Sequence, residues 1–68
     1  MLESEIKMRA TDKIQSKLVQ AMFDREDTKK ILKTKIYGGV SREENESILN
    51  GIKTDIVVLE YILDAITD

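Results

Sequence analysis

A stretch of eleven residues near the C-terminal end of the chain is almost entirely apolar. Residues 56–66 (IVVLEYILDAI) carry only two charges, Glu60 and Asp64, although 35% of the residues in the chain are charged. In a helix, the apolar side chains of this stretch would cover one side and much of the opposite side as well. A single neighbouring helix can cover only one of these sides. We therefore expect a helix that needs a further partner.

The spacing assigns the apolar side chains to two sides of this helix. The side predicted to face the core carries Ile52, Ile56, Leu59, Ile62, Leu63 and Ile66, and the other side carries Val57, Val58, Tyr61 and Ala65. A strand is the competing interpretation, because β-branched residues are frequent here. However, no other segment offers a matching alternating strand, and a lone strand would leave its backbone groups unpaired. A helix is therefore favoured.

The length and composition indicate a chain that depends on association. With 68 residues, it has room for one domain and a small core. It has no Cys and no His, so it lacks disulfides, thiolate zinc sites and the most common metal ligand. A small domain without these supports is usually stabilised by oligomerisation or by a partner chain.

The residues around Gly38-Gly39 predict a tight connection between two helices. A glycine can end the first helix in the left-handed conformation, and Ser41 with Glu44 three residues later forms a capping-box pattern that starts the second. The predicted boundaries are a helix over about 2–37, a turn over 38–41 and a helix over about 42–66. Two long helices with so short a connection fold back on each other. The predicted fold is an all-α antiparallel two-helix hairpin, completed by self-association or by a partner chain.

A turn centred on residues 38–40 also predicts which residues lie level across the hairpin. Level pairs should have residue numbers that sum to about 78–80, which places Leu59 level with Val19 and Ala21. Residues 1–10 then have no counterpart and should overhang the hairpin. The same register brings Arg25 level with Asp55, and we expect these two side chains to form an ion pair across the seam.

Few residues in the sequence suggest catalysis or ligand binding. The serines have no His to activate them, and the carboxylates of Asp24, Glu26 and Asp27 fit a solvated helix face. We therefore expect no enzymatic activity, no cofactor and no metal site. The formal charge of −2 argues against general binding to nucleic acid or membranes, although the lysines between Lys29 and Lys35 leave phosphate binding as an alternative. The apolar stretch is too short to span a bilayer, and nothing resembles a signal peptide.

Two apolar surfaces are the candidate partner-binding sites. The first lies on the first helix, where Met and Phe side chains suit an adaptable contact. The second is a ridge of small residues on the back of the second helix, where Gly51 suggests close approach by another helix. The candidate residues are Leu18, Val19, Met22, Phe23, Gly51, Val58, Tyr61 and Ala65.

The layout of the chain resembles a known family. A long first helix ending in a basic stretch, then Gly38-Gly39, a short polar cap and a second helix ending in ESILNGIKTDIVVLEYILDAITD, is similar to the YscE, PscE, AscE and EscE group of small type III secretion co-chaperones. The similarity is strongest over residues 31–66. It implies a helical hairpin in the bacterial cytoplasm that binds a tetratricopeptide-like chaperone and, in a heterotrimer, helps keep the needle subunit monomeric before export. The charged run over residues 24–30 and the short Val40 cap depart from the family pattern.

Two other functions remain open from the residues alone. The chain could be a regulatory hairpin that inhibits an enzyme or a transcription factor, or a structural bundle built from its own copies. In each case the exposed apolar sides must be covered, so we expect the isolated chain to form homo-oligomers.

Overall fold

The computed structural model describes residues 2–67 and contains two α-helices, α1 (Glu3–Thr34) and α2 (Arg42–Thr67). The molecule is 49 Å long and about 15 Å across. A helix of 32 residues is itself about 48 Å long, so α2 must fold back along α1. The predicted all-α helical hairpin is confirmed.

The two helices meet in a narrow seam whose residues are spaced alternately by three and four positions. This is the spacing of a coiled-coil seam, where each helix presents one stripe to the other. Ile62, predicted to face the core, is instead 37% exposed because the stripe passes through its neighbour Leu63. The partly or fully buried stripe consists of Thr11, Ile14, Leu18, Ala21, Arg25, Thr28 and Leu32 on α1, and of Asn45, Leu49, Ile52, Ile56, Leu59, Leu63 and Ile66 on α2.

Two of the polar residues in the seam satisfy their hydrogen bonds locally. Thr28 is buried, and its hydroxyl donates to the Asp24 carbonyl at 2.8 Å. Asn45 is also buried, and its side-chain amide donates to the Ser41 carbonyl at 3.0 Å. A buried polar group with a partner avoids most of the cost of losing water. These two residues can therefore occupy the seam, although they add little apolar contact.

The predicted ion pair between Arg25 and Asp55 is wrong. The Nε atom of Arg25 lies 3.4 Å from Glu26 Oε1 on the same helix, yet it is buried and forms no hydrogen bond within the described chain. Arg25 lines a depression together with Val19 and Glu26, whereas Asp55 lines a groove with Lys17, Ala21 and Asp24. The two side chains are level in sequence register but lie on opposite sides of the seam.

The first helix ends at Thr34, three residues before its predicted end. Lys35 adopts the left-handed conformation (φ 61°, ψ 25°), and its N–H donates to the Ile31 carbonyl at 2.9 Å. Gly38 and Gly39 therefore do not cap the helix.

The two glycines instead form the centre of a tight turn. Their φ values are 61° and 85°, and the Val40 N–H donates to the Tyr37 carbonyl at 3.1 Å. Positive φ at both central residues is the pattern of a type I′ turn, which glycine adopts without strain. The helix ends before this turn because Lys35 already has the left-handed conformation.

The second helix starts at the predicted Ser41 cap. The backbone N–H of Glu44 donates to the hydroxyl oxygen of Ser41 at 3.1 Å. This bond satisfies one of the free N–H groups at the helix start, while Glu43 and Glu44 place negative charge near the positive end of the helix dipole. The connection and the start of α2 thus form one hydrogen-bonded unit.

The hairpin encloses very little apolar volume. Ile56, at 4% exposed, is the one apolar side chain that counts as buried in the described chain. The radius of gyration is 15.4 Å, compared with about 11 Å for a compact domain of this length. Two helices alone leave their flanks uncovered, so much of the apolar surface of the chain stays in contact with solvent.

Replacing Gly39 and Gly51 separately with Ala should shift stability in opposite directions. Gly39→Ala forces a side chain into positive φ, which should lower the free energy of unfolding by about 1 kcal/mol. Gly51→Ala, in the middle of α2 with no atom of the same chain within 4 Å of its added Cβ, should raise the free energy of unfolding of the single hairpin by about 1 kcal/mol. Thermal unfolding at a protein concentration low enough to keep the chain monomeric would measure both as shifts of about 4–8 °C. Equal shifts in the same direction would contradict the turn assignment.

Arg25→Met should stabilise the hairpin by about 1 kcal/mol, because it replaces a buried donor that lacks a hydrogen bond with an apolar side chain of similar length. Arg42→Met is the matched control. Arg42 is largely exposed and its Nε donates to Glu46 at 3.1 Å, so its loss should cost about 0.3–0.5 kcal/mol. Urea unfolding of both variants would test this, and a less stable Arg25→Met would show that the charge of Arg25 supports the seam.

Candidate protein interface

The exposed surface of the hairpin is suited to protein contact. Within residues 2–67, no group of three or more acidic side chains is placed to hold a metal ion. Neither of the two described helices is both long enough and apolar enough to cross a membrane. Large apolar side chains, in contrast, lie exposed on both sides of the seam.

A shallow groove between the helices forms one of these surfaces, which we call the groove face. It is lined by Lys17, Gln20, Ala21 and Asp24 from α1, and by Asp55, Val58 and Leu59 from α2. Ala21 and Leu59 share this groove, which agrees with the predicted register of the hairpin. Apolar side chains and Gln20 occupy the centre of the groove, and charged side chains lie at its two ends.

The apolar part of the groove face continues along one flank of α2. The residues of this flank are also spaced by three and four positions, and each lies one position before a seam residue of α2. They are Ile48, Gly51, Asp55, Val58, Ile62 and Ala65. Ile48 is 48% exposed and Val58 is 50% exposed. The opposite flank of α2 is mostly polar and consists of Glu46, Asn50, Lys53, Val57, Glu60 and Asp64. The helix therefore offers apolar surface mainly toward the groove side.

The second surface, which we call the Phe23 patch, lies on α1. Val19, Met22 and Phe23 line a depression there with Arg25 and Glu26, and Phe23 is 66% exposed. Its members Val19 and Met22 each follow a seam residue, whereas Lys17 and Asp24 of the groove each precede one. At 100° per residue, these positions lie on opposite sides of the helix. The Phe23 patch and the groove face therefore point away from each other.

The structure divides the candidate partner-binding residues among three places. Leu18 lies in the seam and is partly buried, so it supports the hairpin. Val19, Met22 and Phe23 form the Phe23 patch. Gly51, Val58 and Ala65 lie on the groove side of α2, and Tyr61, at 75% exposed, lies beyond them on the outer surface.

Sequence reasoning missed several residues of the groove face. Ile48 and Ile62 belong to its apolar flank, and Lys17, Asp24 and Asp55 supply its charges. The signal that could have found the flank is the second stripe with the same spacing, one position before each seam residue of α2. Asp55 belongs to this stripe, whereas Lys17 and Asp24 could not be found this way, because most exposed positions on α1 are polar.

Gly51 is not required by the hairpin itself. It is exposed, and a Cβ added to it would meet no atom within 4 Å. The close helix approach that this glycine suggests therefore does not come from α1. A small residue here leaves space on the outside of α2, beside Val58 and Ala65.

The charges of the groove face form no ion pairs among residues 2–67. The ion pairs among residues 2–67 join Arg25 and Lys29 to Glu26, and Arg42 to Glu46. Asp24 accepts a hydrogen bond from the Gln20 side-chain amide at 3.1 Å. Lys17 and Asp55 form no ion pair in this part of the chain, so both are available to charges on another molecule.

The lysine cluster of α1 is less suited to phosphate than its sequence suggests. Lys29, Lys30 and Lys33 line one depression together with Glu26 and Asp27. The Nζ atom of Lys29 lies 3.7 Å from Glu26 Oε1. The neighbouring carboxylates reduce the positive potential that would attract a phosphate.

Substitutions on the exposed surfaces and in the seam should have different effects. Phe23→Ser and Tyr61→Asp change exposed side chains and should alter the free energy of unfolding by no more than about 0.5 kcal/mol. Leu59→Asp puts an unpaired carboxylate into the seam, close to the groove carboxylates of Asp24 and Asp55. Because burial of an unpaired charge is costly, this variant should melt the hairpin. Far-ultraviolet circular dichroism with thermal melting would test this. Loss of helicity in Tyr61→Asp would mean that Tyr61 supports the fold.

Comparison with known proteins leaves the surfaces of the hairpin as the main guide to its function. No family model matches the chain, and no curated protein or solved structure matches it at a significant level. What this chain binds therefore has to be inferred from the groove face and the Phe23 patch.

Proposed function

We propose that the chain is a small co-chaperone that binds a tetratricopeptide-like chaperone. Together, the two keep the needle subunit of a type III secretion system monomeric in the bacterial cytoplasm before export. The proposal combines the similarity of layout to the YscE, PscE, AscE and EscE group with the exposed surfaces of the hairpin. The protein acts by covering apolar surface, and it carries out no chemical step.

The observation that carries the proposal is the amount of surface left uncovered. The chain exposes 5386 Å² of accessible surface, whereas a compact monomer of its mass exposes about 4400 Å². Monomeric proteins seldom leave large apolar patches in water. This chain has more accessible surface than a compact monomer, and only one apolar side chain is buried among residues 2–67. Such a chain is suited to being one component of a larger helical complex.

The positions of the two apolar surfaces support a complex of three chains. Because the groove face and the Phe23 patch lie on opposite sides of the seam, the hairpin can contact two different neighbours at once. The concave surface of a tetratricopeptide-like chaperone is built from helix pairs, and a helical hairpin can pack against such pairs by the same ridges and grooves that form its own seam. The needle subunit is then the third chain of the complex.

The test is co-expression of the chain with a tetratricopeptide-like chaperone and a needle subunit from the same genome. We expect an equimolar complex of three chains in size-exclusion chromatography with light scattering, and polymerisation of the needle subunit when this chain is omitted. Phe23→Ser and Tyr61→Asp should weaken the complex, since burial of one large apolar side chain is worth about 1.5–3 kcal/mol. A tenfold change in the dissociation constant corresponds to about 1.4 kcal/mol.

Lys53→Ala, on the polar flank of α2, serves as the control that should assemble like the parent. If the chain elutes alone and the needle subunit stays monomeric without it, the proposal is wrong. A regulatory hairpin would then be the next hypothesis, and the genes beside its own would indicate the target.

A further inference from the structure

The charges of the groove face are arranged about an apolar centre. Ala21, Val58 and Leu59 form the apolar part of the centre beside the uncharged side chain of Gln20, Lys17 lies at one end, and the carboxylates of Asp24 and Asp55 lie at the other. Lys17 and Asp24 are seven residues apart on α1, which is two helical turns or about 10.5 Å. This distance is too long for an ion pair within one helix, because such pairs join residues three or four apart. The two ends of the groove therefore present opposite charges to any molecule that covers them.

We propose that the groove face is the interface between two copies of this chain, packed antiparallel about a twofold axis. The axis crosses the groove at the level of Gln20 and Ala21, perpendicular to the helices. Rotation about it exchanges the two ends of the groove, so Lys17 of each copy comes level with Asp24 and Asp55 of the other. Symmetry repeats this contact, so each of the two copies of Lys17 lies near two groove aspartates of the other copy.

The same rotation brings the helices into a favourable arrangement. It places α1 against α1 and α2 against α2 of the other copy, with each pair antiparallel. Since α1 and α2 are already antiparallel within one hairpin, every pair of adjacent helices in the dimer is antiparallel. This is the arrangement of up-and-down four-helix bundles, and it sets opposite ends of the helix dipoles side by side.

Gly51 provides a second observation that agrees with this interface. In the proposed register, Gly51 of one copy lies beside Ala65 of the other, and Val58 lies near the axis. The small side chains allow the two α2 helices to approach closely. The hairpin alone gives Gly51 no packing role, since nothing lies within 4 Å of the position of its absent Cβ.

The size of the interface is adequate for a stable dimer. The hairpin presents a face 49 Å long and about 15 Å wide. A standard interface buries about 800 Å² on each partner. This area is similar to the difference between the accessible surface of this chain and that of a compact monomer of the same mass. The dimer would cover the apolar flank of α2 and leave the Phe23 patch free. The inference concerns the isolated chain and does not depend on the proposed co-chaperone function.

A charge-exchange experiment on the full chain tests the interface. Lys17→Glu alone should raise the dimer dissociation constant at least tenfold, because it brings three carboxylates together at each end of the interface. Asp24→Lys alone should have a similar effect, since the new cation meets Lys17 of the other copy. An equimolar mixture of the two variants should form a heterodimer within about threefold of the parent affinity, because both ends then regain opposite charges.

Sedimentation equilibrium measures the three association constants, and circular dichroism checks that each variant is helical. Lys53→Glu and Asp64→Lys make the same charge changes on the opposite flank of α2, and they should dimerise like the parent. If Lys17→Glu dimerises like the parent, or the mixture associates no better than the separate variants, the proposed interface is wrong. A parent chain that stays monomeric at all accessible concentrations would also overturn it, and would point to a partner protein as the occupant of the groove.

Cysteine cross-linking gives a second test that does not depend on charge. The chain has no native Cys, so Gln20→Cys introduces one thiol per chain. In the proposed dimer, the two thiols lie close to each other near the axis. We expect rapid formation of a disulfide-linked dimer under mild oxidation, whereas Lys53→Cys should cross-link at least tenfold more slowly. Equal rates for the two variants would contradict the assignment of the interface to the groove face.

Discussion

The seam between α1 and α2 is a single stripe of side chains on each helix, and two helices joined by one stripe enclose almost no volume. Every seam residue therefore has solvent or a flank residue beside it, and Ile56 is the only apolar side chain that is buried in the described part of the chain. A third and a fourth helix would be needed to cover the flanks, as in a bundle. The exposed apolar flank of α2 and the Phe23 patch are direct consequences of this geometry.

The two ends of the hairpin are held together by different interactions. Toward the connection, the seam contains Thr28 and Asn45, which form hydrogen bonds within their own segments. The Ser41 cap and the turn at Gly38-Gly39 fix the geometry there. Toward the other end, the seam contains aliphatic residues such as Leu18, Leu59 and Leu63, and stability there depends on apolar contact. The connection sets the register, and the aliphatic end provides most of the buried apolar area.

The polar groups of the hairpin also distinguish its two sides. Arg25 turns toward Glu26 and the Phe23 patch, although its buried Nε atom forms no hydrogen bond there within the described chain. Lys17, Asp24 and Asp55 lie on the groove side, where they surround an apolar centre. Unpaired charges beside exposed apolar side chains can select a partner by electrostatic complementarity, since a mismatched charge would be costly in the covered groove. The groove face is thus the more selective of the two surfaces.

The fold class could be predicted from the sequence because its evidence is local. The spacing of the apolar residues, the Ser41 cap and the glycine pair each act within a few residues, and together they define two helices and the register of Ala21 with Leu59. The end of α1 was predicted three residues too late, because helix stop signals do not reveal whether a glycine caps a helix or forms the turn after it.

Only the tertiary structure decided which side of the seam each flank residue occupies. Arg25 and Asp55 are level in register, yet they point to opposite sides, because the direction of a side chain depends on the rotation of its helix about its own axis. That rotation is set by the packing of all seam residues together. For the same reason, the sequence by itself indicated two apolar surfaces, but the structure was needed to place the Phe23 patch and the groove face on opposite sides of the hairpin.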